Sequence, residues 1–192
     1  MSVRTHDFLD SPLGPITVLG DEGRLGGLFF EVHRWAPGAD RWGERAPGTF
    51  AAVAEQLDAY FAGDRKTFDV ELHLPGTEFQ RRVWTELQQV PFGATTTYAE
   101  LAEAIGRPGA ARAVGAANGR NPVSIIVPCH RIVGADGTLT GYGGGLPRKQ
   151  ALLTLEHALP RRSAGRSARL AELPEELQLF GDDPALLGHG GI

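Results

Sequence analysis

The sequence predicts a mixed α/β protein with a small α/β unit over residues 1–75, a mainly helical unit over residues 76–159 and a tail over residues 160–192. Alternating apolar residues around a Gly-Asp-Glu-Gly turn predict a β-hairpin in the first unit. Two capping-box sequences predict the starts of helices in the second unit. With 42% hydrophobic and 22% charged residues, the chain is expected to fold around an ordinary globular core.

The first unit contains signals for a hairpin, a helix and one further strand. Residues 16–19 and 25–30 form the expected hairpin, and residues 68–72 are expected to add a short strand. Apolar residues between 50 and 61 fall on one helical face, which predicts a helix with Thr49 as its N-cap and Gly63 at its end. This unit shows no chemistry of its own.

The sequence predicts a series of short helices in the second unit. Thr77 with Gln80 and Thr97 with Glu100 have capping-box spacing and predict two helix starts. A turn at residues 106–109 precedes an alanine-rich helix over residues 110–119, and Pro147 begins a last helix. The middle two helices predict a helix-turn-helix, which binds DNA in many proteins and is a plain packing unit in others.

The single cysteine, Cys129, is a candidate nucleophile. It follows an apolar run over residues 123–127 and is followed by His130 and Arg131. An imidazole and a guanidinium beside a thiol are expected to favour the thiolate. The alternative is an inert buried thiol that fills space in the core.

Charge is distributed unevenly along the chain. Residues 1–103 carry 9 basic against 16 acidic side chains, whereas residues 104–155, which include the cysteine, carry 6 against 1. A basic segment could meet a phosphate backbone or could be a solvated face. The candidate phosphate contacts are Arg107, Arg112, Arg120, Arg131, Arg148 and Lys149.

Several classes of protein do not fit the sequence. The amino terminus lacks the apolar segment of a signal peptide, and no stretch approaches the ~20 apolar residues of a membrane span, so we expect a cytoplasmic protein without a membrane partner. One cysteine and six scattered histidines do not have the spacing of a zinc site, so no metal is expected. The glycine cluster at 141–145 lacks the Gly-Lys-Ser/Thr ending of a phosphate loop and is interpreted as a close-approach loop.

Five motifs in order resemble one known family over residues 77–157. They are 111–115 (Ala-Arg-Ala-Val-Gly), 121–123 (Asn-Pro-Val), 127–131 (Val-Pro-Cys-His-Arg), 141–146 (Gly-Tyr-Gly-Gly-Gly-Leu) and Glu156. In sequence and spacing they resemble the O6-alkylguanine-DNA alkyltransferases of the bacterial type, also called methylated-DNA-protein-cysteine methyltransferases. Residues 11–15 and the first helix resemble, more loosely, the amino-terminal domain of that family.

The resemblance implies a fold and a reaction. The expected fold is a ribonuclease-H-like amino-terminal domain followed by a catalytic domain with a winged-helix-like helix-turn-helix. The expected reaction is DNA repair without a cofactor, in which one alkyl group moves irreversibly from guanine O6 to Cys129. Some members of the family bind zinc through cysteine in the amino-terminal domain, and this chain has no cysteine there.

The resemblance also implies catalytic roles. An ordinary cysteine is only about 3% thiolate at neutral pH, so a nearby base is needed, and His130 is the obvious one. Because neighbours on an extended chain point to opposite sides, a water is expected to bridge Cys129 and His130. Glu156 would orient His130, although a glutamate at a helix end is otherwise usually solvated.

A further group of residues would handle the DNA and the damaged base. Arg112 would replace the expelled base, Tyr98 would push on the adjoining phosphate and protonate the departing guanine, and Asn121 would fix the helix to the active-site strand. The small residues that would enter the minor groove are Ala110, Ala111, Ala113, Gly115 and Ala116. The residues expected to line the base pocket are Val127, Pro128, Tyr142, Gly143 and Gly144. Without the family, both tyrosines could equally be packing aromatics and Asn121 a turn former.

Three other functions compete with single-turnover alkyl transfer. A damage-binding protein of the alkyltransferase-like type would bind the lesion without transfer, but those relatives replace the cysteine that this chain keeps. A cysteine hydrolase would give the helix-turn-helix no purpose. A regulatory role in transcription stays open as an addition, as do repair of O4-alkylthymine and cooperative binding of the expected monomer along DNA.

Overall fold

The computed structural model describes residues 4–21 and 23–160. The sequence of the expected tail is consistent with at most a short helix near residues 172–179, and that segment lies outside the described residues. Within the described ranges, no helix combines the length and the apolar character needed to cross a membrane.

A four-stranded sheet forms the first part of the chain. Its strands are β1 (Arg4–Leu9), β2 (Ile16–Asp21), β3 (Arg24–Phe30) and β4 (Glu44–Arg45), in the order β3-β2-β1-β4. β2 pairs antiparallel with both β1 and β3, and β4 adds to β1 in parallel. The hairpin predicted from the turn residues is therefore confirmed, while β1 and β4 were not predicted.

A helix, α1 (Ala51–Phe61), packs the first unit against the rest of the core. The predicted cap is wrong, because the N-cap residue is Phe50, and no side chain bonds to the first turn. Phe50 is buried, so the apolar ring contributes packing at the position where Thr49 was expected to contribute a hydrogen bond. Gly63, with φ of 83°, follows the helix as expected.

The second unit contains four helices and a two-stranded sheet. The helices are α2 (Glu78–Leu87), α3 (Tyr98–Ala104), α4 (Ala111–Gly119) and α5 (Leu146–Leu155), and the sheet pairs β5 (Thr96–Thr97) with β6 (Ile132–Val133) in parallel. Both predicted capping boxes are present, with Thr77 and Thr97 each accepting from the third residue of the helix. The buried Trp84 of α2 donates from its indole nitrogen to the Ala117 carbonyl at 2.9 Å, which fixes α4 against α2.

The edge of β3 holds two segments that were expected to be strands. Leu25 forms a single bridge with Leu72, and Leu28 forms another with Val123. Residues 68–72 do not form an extended strand, so that prediction is wrong in extent, and residues 123–127 do not form the active-site strand that the resemblance implied. After Val123 the chain turns at once, and Ile125 has a φ of 68°, a conformation that a β-branched residue rarely adopts. The loop that leads to Cys129 is thus hydrogen-bonded directly to β3 of the first unit.

Candidate active site

Cys129 begins a short 3-10 turn over Cys129–Arg131, not the extended chain that the sequence suggested. All three side chains of the turn are buried, and the cysteine is 4% exposed. Its amide donates to the Val127 carbonyl at 2.8 Å. The side chains of Cys129 and His130 therefore do not alternate between opposite sides as they would on an extended strand.

Asn121 holds the loop that carries the thiol. Its side-chain amide donates to the Val127 carbonyl at 2.8 Å and to the Val123 carbonyl at 3.3 Å, while its oxygen accepts from the Val123 amide at 3.0 Å. The neighbouring Asn118 on α4 donates to the Cys129 carbonyl at 3.5 Å. Both asparagines are buried, so together they attach the end of α4 to the loop in place of the expected strand.

Glu156 is the centre of a buried polar group that we call the carboxylate cluster, formed by Tyr60, His130, Arg131 and Glu156. His130 Nε2 lies 2.9 Å and the Tyr60 hydroxyl 2.7 Å from Glu156 Oε1. Arg131 donates from Nε to Oε2 and from a terminal nitrogen to Oε1, both at 2.8 Å. The carboxylate is 1% exposed, and the alternative of a solvated glutamate is excluded.

The cluster fixes the protonation states of its members. Burial opposes ionisation of Glu156, but the hydrogen bonds from His130 and Arg131 outweigh it and hold the pKa of Glu156 at about 2. Burial lowers the pKa of His130 against the opposing hydrogen bond from Glu156. His130 is therefore neutral near pH 7, which is the form that a general base requires.

The resting thiol is not activated by its sequence neighbours. Burial raises the pKa of Cys129 to about 11, with Asn121 and the Lys149 charge acting in the opposite direction. The guanidinium of Arg131 is bound to Glu156 and to the Val90 carbonyl, so its expected role beside the thiolate is not what the structure shows. The nearby positive charge is Lys149, whose ammonium is fully buried and donates to the carbonyls of Ile132 and Thr140.

The two ring nitrogens of His130 have different surroundings. Nε2 is committed to Glu156, whereas Nδ1 is buried and has no hydrogen-bond partner among the described protein groups. The ring of Tyr142 stands edge-on at 6.4 Å from the His130 ring, and charge on Cys129 contributes to raising the pKa of Tyr142, after burial. Tyr142 therefore lies beside both reactive residues.

A groove of about 340 Å³ opens between α3, α4 and the glycine loop. We call it the groove; its walls are Arg34, Trp35, Tyr98, Gly115, Ala116, Asn118, Gly119, Arg120, Gly141, Tyr142 and Gly143. The Tyr98 hydroxyl lies 3.1 Å from the Thr140 hydroxyl, and the ring of Tyr98 faces Gly115, where an added methyl group would lie 3.5 Å away. Tyr98, which was expected to contact the DNA, and Tyr142, which was expected to line the base pocket, thus lie in the walls of the same groove.

The predicted site residues separate into those the groove contains and those it does not. Tyr98, Gly115, Ala116, Tyr142 and Gly143 line it, whereas Ala110, Ala111, Ala113, Val127, Pro128 and Gly144 are not among its walls. The Val127 carbonyl already accepts from Asn121 and from the Cys129 amide, and Pro128 lines a separate pocket with Arg131. Arg112 and Ala113 are exposed on α4, and Ala110 and Ala111 are half-buried.

The basic segment is only partly available to a phosphate backbone. Arg107, Arg112 and Arg120 are exposed. Arg131 and Lys149 are buried in hydrogen bonds, and Arg148 donates to the carbonyls of Leu13 and Gly144. The prediction that these last three residues meet phosphate is therefore wrong, because each one satisfies protein acceptors.

Sequence reasoning missed several residues of this region. Tyr60 donates to Glu156 across 96 positions of sequence, and Trp35 belongs to a segment without any recognised motif. In the sequence, Tyr60 is recognisable only as one of the apolar residues on one face of α1. That position predicts packing in the core. Within residues 4–21 and 23–160, no group of three or more His, Cys, Asp or Glu side chains is arranged to hold a metal ion.

The fold and the site together define a DNA-binding protein with a buried cysteine, histidine and glutamate. Two family models match the chain: the ribonuclease-like domain of 6-O-methylguanine DNA methyltransferase over residues 5–74, and the DNA binding domain of the same protein over residues 78–158. The chain belongs to the 6-O-methylguanine DNA methyltransferase family.

Individual relatives agree with the family assignment. The methylated-DNA–protein-cysteine methyltransferase of Mycolicibacterium paratuberculosis is 56% identical over 148 residues, 77% of this chain and 89% of that protein. The protein of the same name from Methanosarcina acetivorans is 51% identical over 79% of this chain and 97% of its own length. A crystal structure of Mycobacterium tuberculosis OGT in complex with DNA has a TM-score of 0.76 and 53% identity, covering 79% of this chain and 92% of that chain. The mixed α/β fold with a ribonuclease-like first domain and a helical DNA-binding domain is confirmed.

Proposed function

We propose that this protein repairs DNA by moving an alkyl group from O6 of guanine to Sγ of Cys129, irreversibly and once per molecule. The observation that carries the proposal is the buried thiol beside a neutral His130, whose second nitrogen is bound to Glu156. Relatives named methylated-DNA–protein-cysteine methyltransferases support transfer and do not favour a damage-binding protein that lacks it.

The transfer is an in-line displacement at the alkyl carbon. The bond from Sγ to carbon forms as the bond from carbon to O6 breaks, and the electron pair of the broken bond stays with guanine. His130 Nδ1, which has no hydrogen-bond partner among the described residues, takes the thiol proton through a bridging water. The Tyr98 hydroxyl gives guanine the proton it needs and is reprotonated from solvent.

The Cys129 thiol needs to lose its proton only during the reaction, so a raised pKa before the reaction is compatible with its role. A pKa of about 11 keeps Cys129 protonated at neutral pH, which protects a single-use nucleophile from other electrophiles. Loss of the proton to His130 creates a thiolate whose charge is opposed by burial and supported by Lys149. No cofactor takes part in this sequence of steps.

Access to the base requires that the nucleotide leave the duplex, which costs a few kcal/mol. We infer that α4 enters the minor groove of double-stranded DNA with Ala110, Ala111, Ala113, Gly115 and Ala116, and that Arg112 fills the space of the expelled base. Tyr142 and Gly143 then line the pocket, with Val127, Pro128 and Gly144 supporting it, and Asn121 holds the loop. Exposure of Arg112 supports this assignment.

The remaining assignments follow from the same proposal. The chain divides into an amino-terminal domain at 1–75, a catalytic DNA-binding domain at 76–159 and a tail at 160–192. It acts as a monomer that can bind side by side along DNA. A cytoplasmic location fits a DNA substrate and a thiol that must stay reduced.

The experiment is mass spectrometry after mixing the protein with duplex DNA that contains O6-methylguanine. We expect the peptide that contains Cys129 to exchange one hydrogen for one methyl group, and Cys129→Ser protein to show no such change. Loss of the lesion without modification of that peptide would reject the proposal.

A further inference from the structure

An exposed tryptophan of the first domain stands at the groove together with two arginines. The guanidinium carbon of Arg120 lies 4.4 Å from the centroid of the Trp35 ring, and that of Arg34 lies 5.2 Å from it. Trp35 is 43% exposed, although large apolar side chains are usually covered. All three residues belong to the groove wall that also contains Tyr98 and Tyr142.

The segment that carries Trp35 is fixed in place before any DNA arrives. The Arg34 amide donates to the Gly143 carbonyl at 3.0 Å, and His33 Nε2 lies 3.3 Å from the Ser124 hydroxyl. A methyl group on Gly143 would lie 2.4 Å from the His33 ring, so only glycine permits this approach. The segment is therefore docked on both the glycine loop and the loop that leads to Cys129.

The two arginines differ from two other arginines of the same protein. Arg131 and Arg148 donate to carboxylate or carbonyl oxygens. Across residues 4–21 and 23–160, neither Arg34 nor Arg120 forms an ion pair, and both are exposed. Two uncompensated cations held beside an exposed aromatic ring match the phosphates and the sugar or base faces of a nucleic-acid strand.

The position of the arginines indicates which strand they meet. Tyr98 and Tyr142, which the proposed function places around the expelled nucleotide, line the same cavity. Arg120 lies at the end of α4, eight residues and about 12 Å along the helix axis from Arg112. That separation is about two phosphate spacings, so a strand that passes Arg112 can continue along α4 to Arg120 at the groove.

We propose that Arg34, Trp35 and Arg120 bind the backbone of the DNA strand that carries the expelled nucleotide. The first domain thereby takes part in DNA recognition, through the one segment that reaches the groove. This inference rests on the proposed function, since the strand is identified by the base that Cys129 repairs. Trp35 is a positioning residue for the duplex and does not touch the reacting atoms.

The test compares transfer from duplex DNA with transfer from free O6-benzylguanine in Trp35→Ala, Trp35→Phe, Arg34→Ala and Arg120→Ala proteins. Trp35→Ala is expected to slow the duplex reaction by about fivefold or more, since about fivefold corresponds to about 1 kcal/mol, the lower end of the value of stacking on an aromatic side chain. The reaction with the free base should stay within about twofold, because that substrate has no backbone to bind. Trp35→Phe should recover most of the duplex rate.

Salt dependence gives a second readout. Arg34→Ala and Arg120→Ala are each expected to lower the slope of log affinity against log salt by about 1, the value for one lost phosphate contact. The matched control is Arg45→Ala, which removes another guanidinium that lies over an aromatic ring, 5.4 Å from Phe8, without belonging to the groove. It should change neither the slope nor the duplex rate.

The outcomes separate the two proposals. Unchanged duplex repair in Trp35→Ala protein, equal slowing on both substrates, or an equal effect of Arg45→Ala would overturn the inference and leave the proposed function intact. A wild-type protein that transfers from neither substrate would reject the proposed function itself. If Trp35→Ala protein does not fold, the slopes of the two arginine variants decide the question.

Discussion

The carboxylate cluster and the groove lie next to each other but differ in the exposure of their side chains and in how their polar groups are satisfied. In the cluster, both Glu156 oxygens accept hydrogen bonds and every member is at most 6% exposed. In the groove, Arg34, Trp35 and Arg120 face solvent, and Arg112 is exposed farther along α4. Bond-making groups are thus fixed in advance by the fold, whereas the groups that meet DNA have their partners supplied by the substrate.

His130 joins the two regions. Its Nε2 belongs to the cluster, and its Nδ1 has no hydrogen-bond partner among the described residues. Substitutions in the cluster should therefore affect stability and both kinds of substrate alike. Substitutions in the groove should affect duplex DNA and leave both stability and the free base nearly unchanged.

The largest effect is expected from Glu156→Gln. Arg131 and His130 would lose a buried carboxylate, and breaking a buried ion pair on one side costs about 3–5 kcal/mol in the free energy of unfolding. Loss of an oriented general base should slow transfer by about a hundredfold on either substrate. Urea unfolding and single-turnover kinetics measure the two effects. Glu103→Gln, an exposed glutamate of α3, is the control and should match wild type.

Among the exposed residues that are expected to meet DNA, Arg112 should separate the two substrates most clearly when it is replaced by alanine. We expect duplex repair to slow by at least about tenfold, because expelling a base costs a few kcal/mol and the arginine would no longer replace it. Transfer from free O6-benzylguanine should change by less than about twofold. Arg45→Ala removes an exposed arginine of β4, which lies outside the basic segment, and serves as the control. Equal slowing on both substrates would show that base expulsion is the wrong role.

Tyr60→Phe should have a smaller effect that appears in the pH profile. Without the Tyr60 donor, Glu156 becomes a stronger base and raises the pKa of His130, so the neutral form is lost at a higher pH. The acid limb of the rate profile should move upward. Phe68→Leu alters the same aromatic contact, 5.3 Å between rings, without touching Glu156, and should lower stability while leaving the limb in place. If the acid limb of the pH–rate profile stays in place in Tyr60→Phe protein, Tyr60 contributes to packing alone.

The smallest effect is a change in acid stability. The pKa of Glu156 is about 2 in the folded protein, below the ordinary 4.5, so its ionised form stabilises the fold above pH 4.5. This contribution is lost as the pH falls from about 4.5 through about 2. The difference in unfolding free energy between wild type and Glu156→Gln should shrink over that interval. A constant difference would mean that Glu156 is not ionised by the cluster.

Local signals in the sequence predicted local structure well. The capping boxes of Thr77 and Thr97 are present because each depends on four consecutive residues. β1 was missed because Asp7 interrupts its pattern, and its carboxylate is buried where it accepts from the Gly48 amide, 41 residues away. Such a partner cannot be identified from neighbouring residues.

The structure brings together residues that the resemblance implied, but their connections differ from those that the sequence suggested. Cys129, His130 and Glu156 are together, as the resemblance implied. The charges were misassigned because the direction of a long side chain depends on tertiary structure: Arg131 turns to Glu156, and Lys149 approaches the thiol. Tyr60 and Trp35 come from the other domain, and contacts across domains leave no mark in local sequence.

The central claim is that one sulfur atom is consumed for each lesion removed. The most direct measurement counts O6-methylguanine lesions lost against protein molecules when duplex DNA is in large excess. We predict that the count stops at one lesion per molecule, with every molecule methylated at Cys129. Continued loss of lesions beyond one per molecule, with unmodified protein at the end, would contradict the account.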